Sequence, residues 1–421
     1  MIFHKKTLEN GLRLITVPLK DAKTVSILIL VKTGSLYEKK EENGISHFLE
    51  HILFKGTVKR PRTIDISRDL DQIGAKFNAF TGKEYMGFYT VVNSQHLDIG
   101  LDVLSDMFLN SKMETIEIER EKGVIIEEIK MIYDTPMRYI EDLWEELLYG
   151  DQPAGWSIAG TKENIRKSTR QMLKNHYATH FLSKNTVIVI AGDVNEEKIL
   201  EKTKRYLKGI STGEPMKIPS IREDQSKPKI LLNFRKTDQS HFILGVRAYS
   251  FFHPDKYSLA ILSVILGGNM SSRLFTHVRE RRGLAYYVHT SVESYNDRGY
   301  LATAAGVDHK KLEEAIKIIL REYKSIAGNV SPDELNKAKE FLKGRMTIEL
   351  EGPDDFASFV GGEEISTGEI LTPEQKCDKI NKVTLNDVKR VAKDIFKENN
   401  LNFTLIGPYK DKKRLEEILK M

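Results

Sequence analysis

The two halves of this 421-residue chain carry the same succession of elements in the same order, and that internal repeat restricts the fold more than any other feature. In the first half a strand-like run, TVSILILVKTGS (24–35), leads through a charged loop to the helical pattern NGISHFLEHILF. In the second, SHFILGVRAYS (240–250) leads through FFHPDK to the helical YSLAILSVILGG. Hairpin-like strands follow in each half, KFNAFTGKEYMGFYTVV (76–92) and AYYVHTSVESYNDRGYLATAAGV (285–307), with period-two alternation around glycine-containing turns. Long helices come next: LDIGLDVLSDMFLNS and a Glu-rich segment running to Tyr133, matched by HKKLEEAIKIILREYKSI and SPDELNKAKEFLKGRMTIEL. Ser331 is placed to cap the last of these, with Pro332 at the first helical position and Glu334 completing a capping box. Each half closes with a helix and a short apolar strand, NTVIVIAGDV (185–194) and NLNFTLIGPY (400–409).

Because the strand pairs are joined by hairpins, each half is predicted to be an α+β domain, a mainly antiparallel sheet packed with helices. A chain this long exceeds what one hydrophobic core commonly supports. Two structurally homologous domains follow, 1–212 and 229–421, joined by a polar linker, 213–228, that carries proline and glycine.

Charge and composition exclude several classes of function. Lys and Arg number 65 against 60 Asp and Glu, a net charge of +5, and the basic residues are interspersed with acidic ones. That is no nucleic-acid footprint, and the one dense run, KDKKR (410–414), reads as the solvated face of a terminal helix. No apolar run approaches the roughly 18 residues needed to cross a bilayer, so no membrane association is expected. The start of the sequence, MIFHKKTLENGLRLITV, lacks the pattern of a secretory signal. A single cysteine, Cys377, rules out an intrachain disulfide framework and reads as a small half-buried residue. A cytoplasmic location is the expectation.

The repeat also exposes an asymmetry. The first half places His47, Glu50 and His51 in an apolar helix where the second has Ala260, Ile261 and Ser263, so the architecture does not require those polar groups. Residues 47 and 51 are neighbours on a helix face, with Cβ atoms roughly 5 to 6 Å apart. Two imidazoles so placed can converge on one Zn²⁺, and Glu50 can flank the metal without binding it, positioned to take a proton from water that zinc acidifies. The competing interpretation is an ordinary helix whose stripe Ile45, Phe48, Leu49, Ile52 and Leu53 forms core while its histidines and glutamate face solvent. A catalytic zinc commonly takes three protein ligands and a water. The Glu-rich segment METIEIEREKGVIIEEIKM offers candidates for the third. Glu121 and Glu128, seven apart, share one face, and Val124 and Ile125 mark the packed side. Spacing alone does not choose among Glu121, Glu127 and Glu128.

With HxxEH on one helix and a Glu-rich helix about seventy residues on, the chain resembles the inverzincin metallopeptidases, the family of pitrilysin, insulin-degrading enzyme and mitochondrial processing peptidase. The resemblance spans almost the whole chain. It implies a zinc endopeptidase acting on short or unfolded peptides in an enclosed chamber, with one Zn²⁺ per chain. In the family seventy-six residues separate the second histidine from the third ligand, and the resemblance thereby selects Glu128 here. The resemblance then makes Glu121 the supporting glutamate and Glu50 the general base. The segment GGNMSSRLFTHVRERRGLAYYV (267–288) matches a family pattern that supplies an Arg and a Tyr to the scissile peptide, here Arg279 and Tyr286. Asn78 and Ala79 match the positions that hold extended substrate along a sheet edge, a β-augmentation mode. The chain departs from the family at QPAGWSIAGT (152–161), where a HPLGRPILGT-like segment is common, and that loop's role in specificity is not carried over.

Larger family members join four such domains, and this chain has two. A homodimer whose copies complete each other's sites is therefore expected, with a heterodimer containing an inactive homologue as the rival. A non-catalytic peptide-binding or structural subunit of the same fold is the principal alternative function. A zinc hydrolase of non-peptide substrates is a third reading, disfavoured by the edge-strand segment at Asn78.

Overall fold

The computed structural model describes residues 1–420. Eleven strands form two sheets. The first contains β1 (His4–Thr7), β2 (Arg13–Pro18), β3 (Thr24–Val31), β4 (Lys76–Thr81), β5 (Met86–Asn93) and β6 (Thr186–Gly192), in the order β1-β2-β6-β3-β5-β4. The second contains β7 (Lys229–Phe234), β8 (Ser240–Ala248), β9 (Ala285–Ser294), β10 (Gly299–Val307) and β11 (Leu401–Gly407), in the order β7-β11-β8-β10-β9. With β1 set aside, the two orders coincide strand for strand. In each sheet one pair is parallel, β2 with β6 and β7 with β11, and the remaining pairs are antiparallel. The α+β repeat read from the sequence is thus present, with the first strands β2 and β7 added to the elements that the periodicity had picked out.

The compact units do not follow the sequence halves. One comprises residues 1–131, 156–219 and 349–370; the other comprises 132–155, 220–348 and 371–421. The boundary near residue 219 falls within the anticipated linker, but a helix has been exchanged in each direction. The helix Pro353–Thr367, from the second half of the chain, belongs to the first unit, and the helix Pro136–Tyr149, from the first half, belongs to the second.

The exchange explains why the central strands are continuous apolar runs and not alternating ones. Ile27, Ile29, Ile188 and Ile190 face a core built with Phe48, Leu49, Ile52, Leu101, Phe108 and Ile125. Leu28, Leu30, Val187, Val189 and Ala191 point the other way and are covered by Ala357, Val360 and Ile365 of the exchanged helix. Strands buried on both faces lose the polar half of the alternation. Each such aliphatic side chain stabilises the fold by about 1.5 to 3 kcal/mol when fully buried. Within the second unit, the helix Pro136–Tyr149 buries Ile140, Leu143, Trp144 and Leu148, with Trp144 edge-on to Tyr300 of β10 at 5.8 Å between ring centroids.

Gly361 is what lets the exchanged helix lie close to its sheet. A Cβ at that position would stand 2.8 Å from Leu30 Cδ1 and 3.1 Å from Val189 Cγ2. Gly361→Val is expected to destabilise the protein by about 1 to 3 kcal/mol in urea denaturation. Gly362→Ala, one residue along in open space, is expected to be neutral or stabilising by about 0.5 to 1 kcal/mol.

The helix Arg170–His180 packs against the helix Ile45–Leu53 and buries His176 and His180, whose rings lie 4.5 Å apart between centroids and tilted by 46°. His176 Nε2 is 3.1 Å from Ser46 Oγ. Burial, reinforced by His180, lowers His176 to about 3, and burial lowers His180 to about 4. The unfolded chain protonates these imidazoles near their ordinary value of 6.5 while the folded chain does not. Stability that is present above pH 6.5 is therefore lost as the pH falls toward 4. Urea midpoints measured across that interval are expected to fall with acidification, and less steeply for His180→Phe, which keeps the ring and removes the titration.

Candidate metal centre

The first unit assembles its polar cluster on the helix Ile45–Leu53. The chain enters it through Gly44 at φ 100°, where a Cβ would meet the Ala159 carbonyl at 2.8 Å. The buried Glu38 accepts hydrogen bonds from the Gly44 and Ser46 N–H groups, each at 2.8 Å, and from Asn43 Nδ2 at 3.0 Å. A carboxylate at a helix N-terminus satisfies otherwise orphaned donors and complements the helix dipole. Ile45, Phe48, Leu49, Ile52 and Leu53 are buried. That stripe fixes the helix's rotation, and His47, Glu50 and His51 lie together on what remains.

The helix Thr115–Asp134 supplies the facing carboxylates. Ile118 and Ile125 are buried and Glu121 is 5% exposed, whereas Val124 is 52% exposed. The sequence expectation had put Val124 with Ile125 on the packed side. The core takes only the Ile118 and Ile125 row, and Val124, one residue earlier, is rotated about 100° outward.

His47 Nε2, His51 Nε2 and a Glu128 oxygen converge. The two Nε2 atoms are 3.3 Å apart, and Glu128 Oε2 lies 3.5 Å from His51 Nε2 and 3.6 Å from His47 Nε2. Ligands at about 2.0 to 2.1 Å around a tetrahedral zinc stand about 3.3 to 3.5 Å from one another. The observed triangle is close to one face of that tetrahedron, so the donor set, two imidazoles and a carboxylate, fits the ion in chemistry and in spacing. Among the described residues this is the one cluster of three His, Cys, Asp or Glu side chains that converges this way.

Electrostatics agree with a cation at this point. Burial and the neighbouring His51 lower His47 to about 4, against a smaller opposing pull from Glu128. Burial opposes charge on His51 as well, but its hydrogen bonds to Glu121 and Glu128 prevail and raise it to about 9. The Glu121 and Glu128 carboxylates thus favour a positive charge at His51, beside the point where the three ligand atoms meet.

The surrounding contacts hold this geometry. His51 Nδ1 is 2.9 Å from Glu121 Oε1, and Lys55 Nζ is 2.7 Å from Glu121 Oε2. Burial would raise the Glu121 carboxyl, yet the His51 and Lys55 hydrogen bonds outweigh it and keep it below the ordinary carboxylate range. Glu50 is half-buried, and Thr81 Oγ1 at the end of β4 donates to its Oε2 at 2.5 Å. Burial raises the Glu50 carboxyl, countered in part by Thr81 and His51.

Asn78 and Ala79 lie on β4, one of the two edge strands of the first sheet, and the Ala79 N–H donates to Asn78 Oδ1 at 2.9 Å. Arg279 and Tyr286 belong to the second unit. Arg279 sits in a π-helical turn, Phe275–Glu280, with its guanidinium 5.0 Å from the Phe275 ring, and Tyr286 on β9 is 73% exposed. Lys55, Thr81 and Glu38 escaped the sequence reading. Lys55 could have been found one helical turn beyond His51, and Glu38 as a carboxylate a few residues before the helix start; Thr81 reaches the helix through tertiary folding and carried no local signal.

Comparison with known proteins adds the family. Residues 13–162 match the model described as Insulinase (Peptidase family M16), and residues 167–342 match the Peptidase M16 inactive domain model. The latter includes none of His47, Glu50, His51 and Glu128. An uncharacterized zinc protease of Bacillus subtilis, YmxG, is 33% identical over 407 residues, covering 96% of this chain and 97% of the relative. Another, from Streptomyces coelicolor, is 32% identical over 415 residues, covering 97% of this chain and 90% of the relative. In fold, the chain is similar to a protease from Helicobacter pylori (TM-score 0.90, 22% identity, 97% and 99% coverage). It is also similar to a chain of Complex III2 from Candida albicans (TM-score 0.85, 18% identity, 99% and 100% coverage). No described helix is long and apolar enough to cross a membrane. Sharing about a third of its residues with full-length relatives and matching the family's models in both halves, the chain belongs to the insulinase family, peptidase family M16.

Proposed function

We propose that this protein is a zinc endopeptidase of short or unfolded peptides, with His47, His51 and Glu128 holding one Zn²⁺ per chain. The observation that carries the reading is the triangle of ligand atoms, 3.3, 3.5 and 3.6 Å on its sides. Relatives that are zinc proteases support it. Zinc held there would lower the pKa of water to about 7 and would supply a Lewis acid for a carbonyl.

The chain's own groups do the rest. Glu50 keeps one oxygen tied to Thr81 and leaves Oε1 to accept a proton from the attacking water and return it to the leaving amine. Its raised carboxyl pKa suits a group that must give the proton back. Glu121 orients His51 by accepting from Nδ1, which points the Nε2 lone pair at the metal. A peptide strand pairing with β4 beside Asn78 and Ala79 would be read by its main chain, so extendability would govern choice of substrate more than sequence. Arg279 and Tyr286 are assigned to stabilising the oxyanion and holding the substrate backbone. We assign the active form as a homodimer in the cytoplasm, each copy supplying that pair to the other.

The rival reading, a non-catalytic subunit, draws on the likeness to a Complex III chain. Against it stands the presence of both histidines and Glu128 in one converging cluster, with Glu50 on the same helix face. Cleavage of quenched fluorescent peptides separates the two. Wild type is expected to cleave and to stop on chelation, and Glu50→Gln to lose about 10²- to 10⁴-fold in kcat/KM while keeping its zinc. Activity surviving the substitution or complete chelation contradicts the mechanism; a folded, zinc-loaded protein that cleaves nothing is the scaffold. Thr81→Val is expected to lower kcat about tenfold, the loss of one hydrogen bond to a charged group. Light scattering on the active fraction is expected to give twice the chain mass, and a fully active monomer would rule out the shared sites.

A further inference from the structure

Lys55 lies one turn beyond His51 and belongs to no ligand motif. Its Nζ contacts one oxygen of Glu121 at 2.7 Å while His51 Nδ1 contacts the other at 2.9 Å. Glu121 is 5% exposed, so each of its oxygens depends on a protein partner. Both partners come from the histidine helix and the turn that ends it, separated by four residues.

The Lys55 backbone is braced on both sides. Its N–H donates to the Ile52 carbonyl at 3.0 Å, closing the last turn of the helix. Beyond it, the Gly56 carbonyl accepts from the Lys112 N–H at 3.0 Å. Thr57 Oγ1 donates to Asp106 at 2.5 Å, and the buried Arg60 is gripped by Asp69, Asp102 and Asp106 at 2.7, 2.6 and 2.9 Å. A surface lysine is ordinarily a loose tether, but this one leaves a fixed backbone and is 24% exposed.

We propose that Lys55 is a positioning residue of the metal centre. By anchoring Glu121 Oε2 it stops the carboxylate from rotating, so that Oε1 stays aimed at His51 Nδ1 and the opposite nitrogen at the metal. The inference rests on the zinc reading above. Groups that orient a ligand histidine typically change metal affinity 10- to 100-fold when removed. Lys55 acts one bond further out, and its loss belongs at the lower end of that range.

The test is chelator-competition measurement of zinc affinity for wild type, Lys55→Met, Lys55→Gln, Lys55→Arg and Glu121→Gln, with thermal melting of each metal-free protein. Lys55→Met and Lys55→Gln are expected to bind zinc about tenfold more weakly. Lys55→Arg, which keeps a cation in reach of Oε2, is expected to return affinity close to wild type. Melting separates this role from a purely structural one: a lowered melting temperature with unchanged zinc affinity in either neutral variant overturns the proposal, as does Glu121→Gln weakening zinc while both neutral variants bind normally. A wild type that binds no zinc fails the functional reading itself, and the Lys55 proposal falls with it.

Discussion

The hydrogen bond between His51 Nδ1 and Glu121 Oε1 joins two helices that are distant in sequence and fixes how the His51 ring faces the candidate metal site. Core packing brings the helices near each other through Phe48, Leu49 and Ile52 on one and Ile118 and Ile125 on the other. Apolar contact is non-directional, however, and sets position to no better than a rotamer. The polar bond converts proximity into aim. It fixes the plane of the His51 ring and turns Nε2 toward His47 and Glu128. Burying Glu121 makes the bond stronger and also makes it costly to lose, since an unpartnered buried carboxylate is destabilising.

The second sheet serves as an internal control for the first. Its helix Lys256–Gly267 follows β8 just as the histidine helix follows β3, and it buries Leu259, Ile261, Leu262, Ile265 and Leu266 without any histidine. The two sheets share strand order and the position of their one parallel pair. The polar cluster is thus an addition to the architecture and not a condition of it. Its cost, several partly desolvated ionisable groups, is offset locally by mutual pairing.

What could be read from the chain alone divides along physical lines. Periodicity exposed the hairpins, the long helices and the two apolar closing strands, because alternation and 3.6-residue repeats are local. The Ser331 to Glu334 capping box forms as its residues imply, with reciprocal bonds of 2.9 and 3.1 Å. The exchange of the helices Pro353–Thr367 and Pro136–Tyr149 was invisible, since an amphipathic stripe states that a face is buried and not against which sheet. Gly361 likewise looks like any helical glycine until Leu30 and Val189 are seen beneath it. At the metal centre, His47 and His51 announced themselves by spacing on one helix. Choosing Glu128 over its neighbours required the family interval, and Thr81 acts across a fold in the chain that no local pattern encodes.

The central claim is that three side chains of one unit share a single zinc ion. Crystals of the zinc-loaded protein, with anomalous diffraction recorded on both sides of the zinc absorption edge, test it most directly. One strong peak per chain about 2.0 to 2.2 Å from His47 Nε2, His51 Nε2 and a Glu128 oxygen is the predicted result. A peak elsewhere, or zinc bound with Glu121 in place of Glu128, would contradict the account.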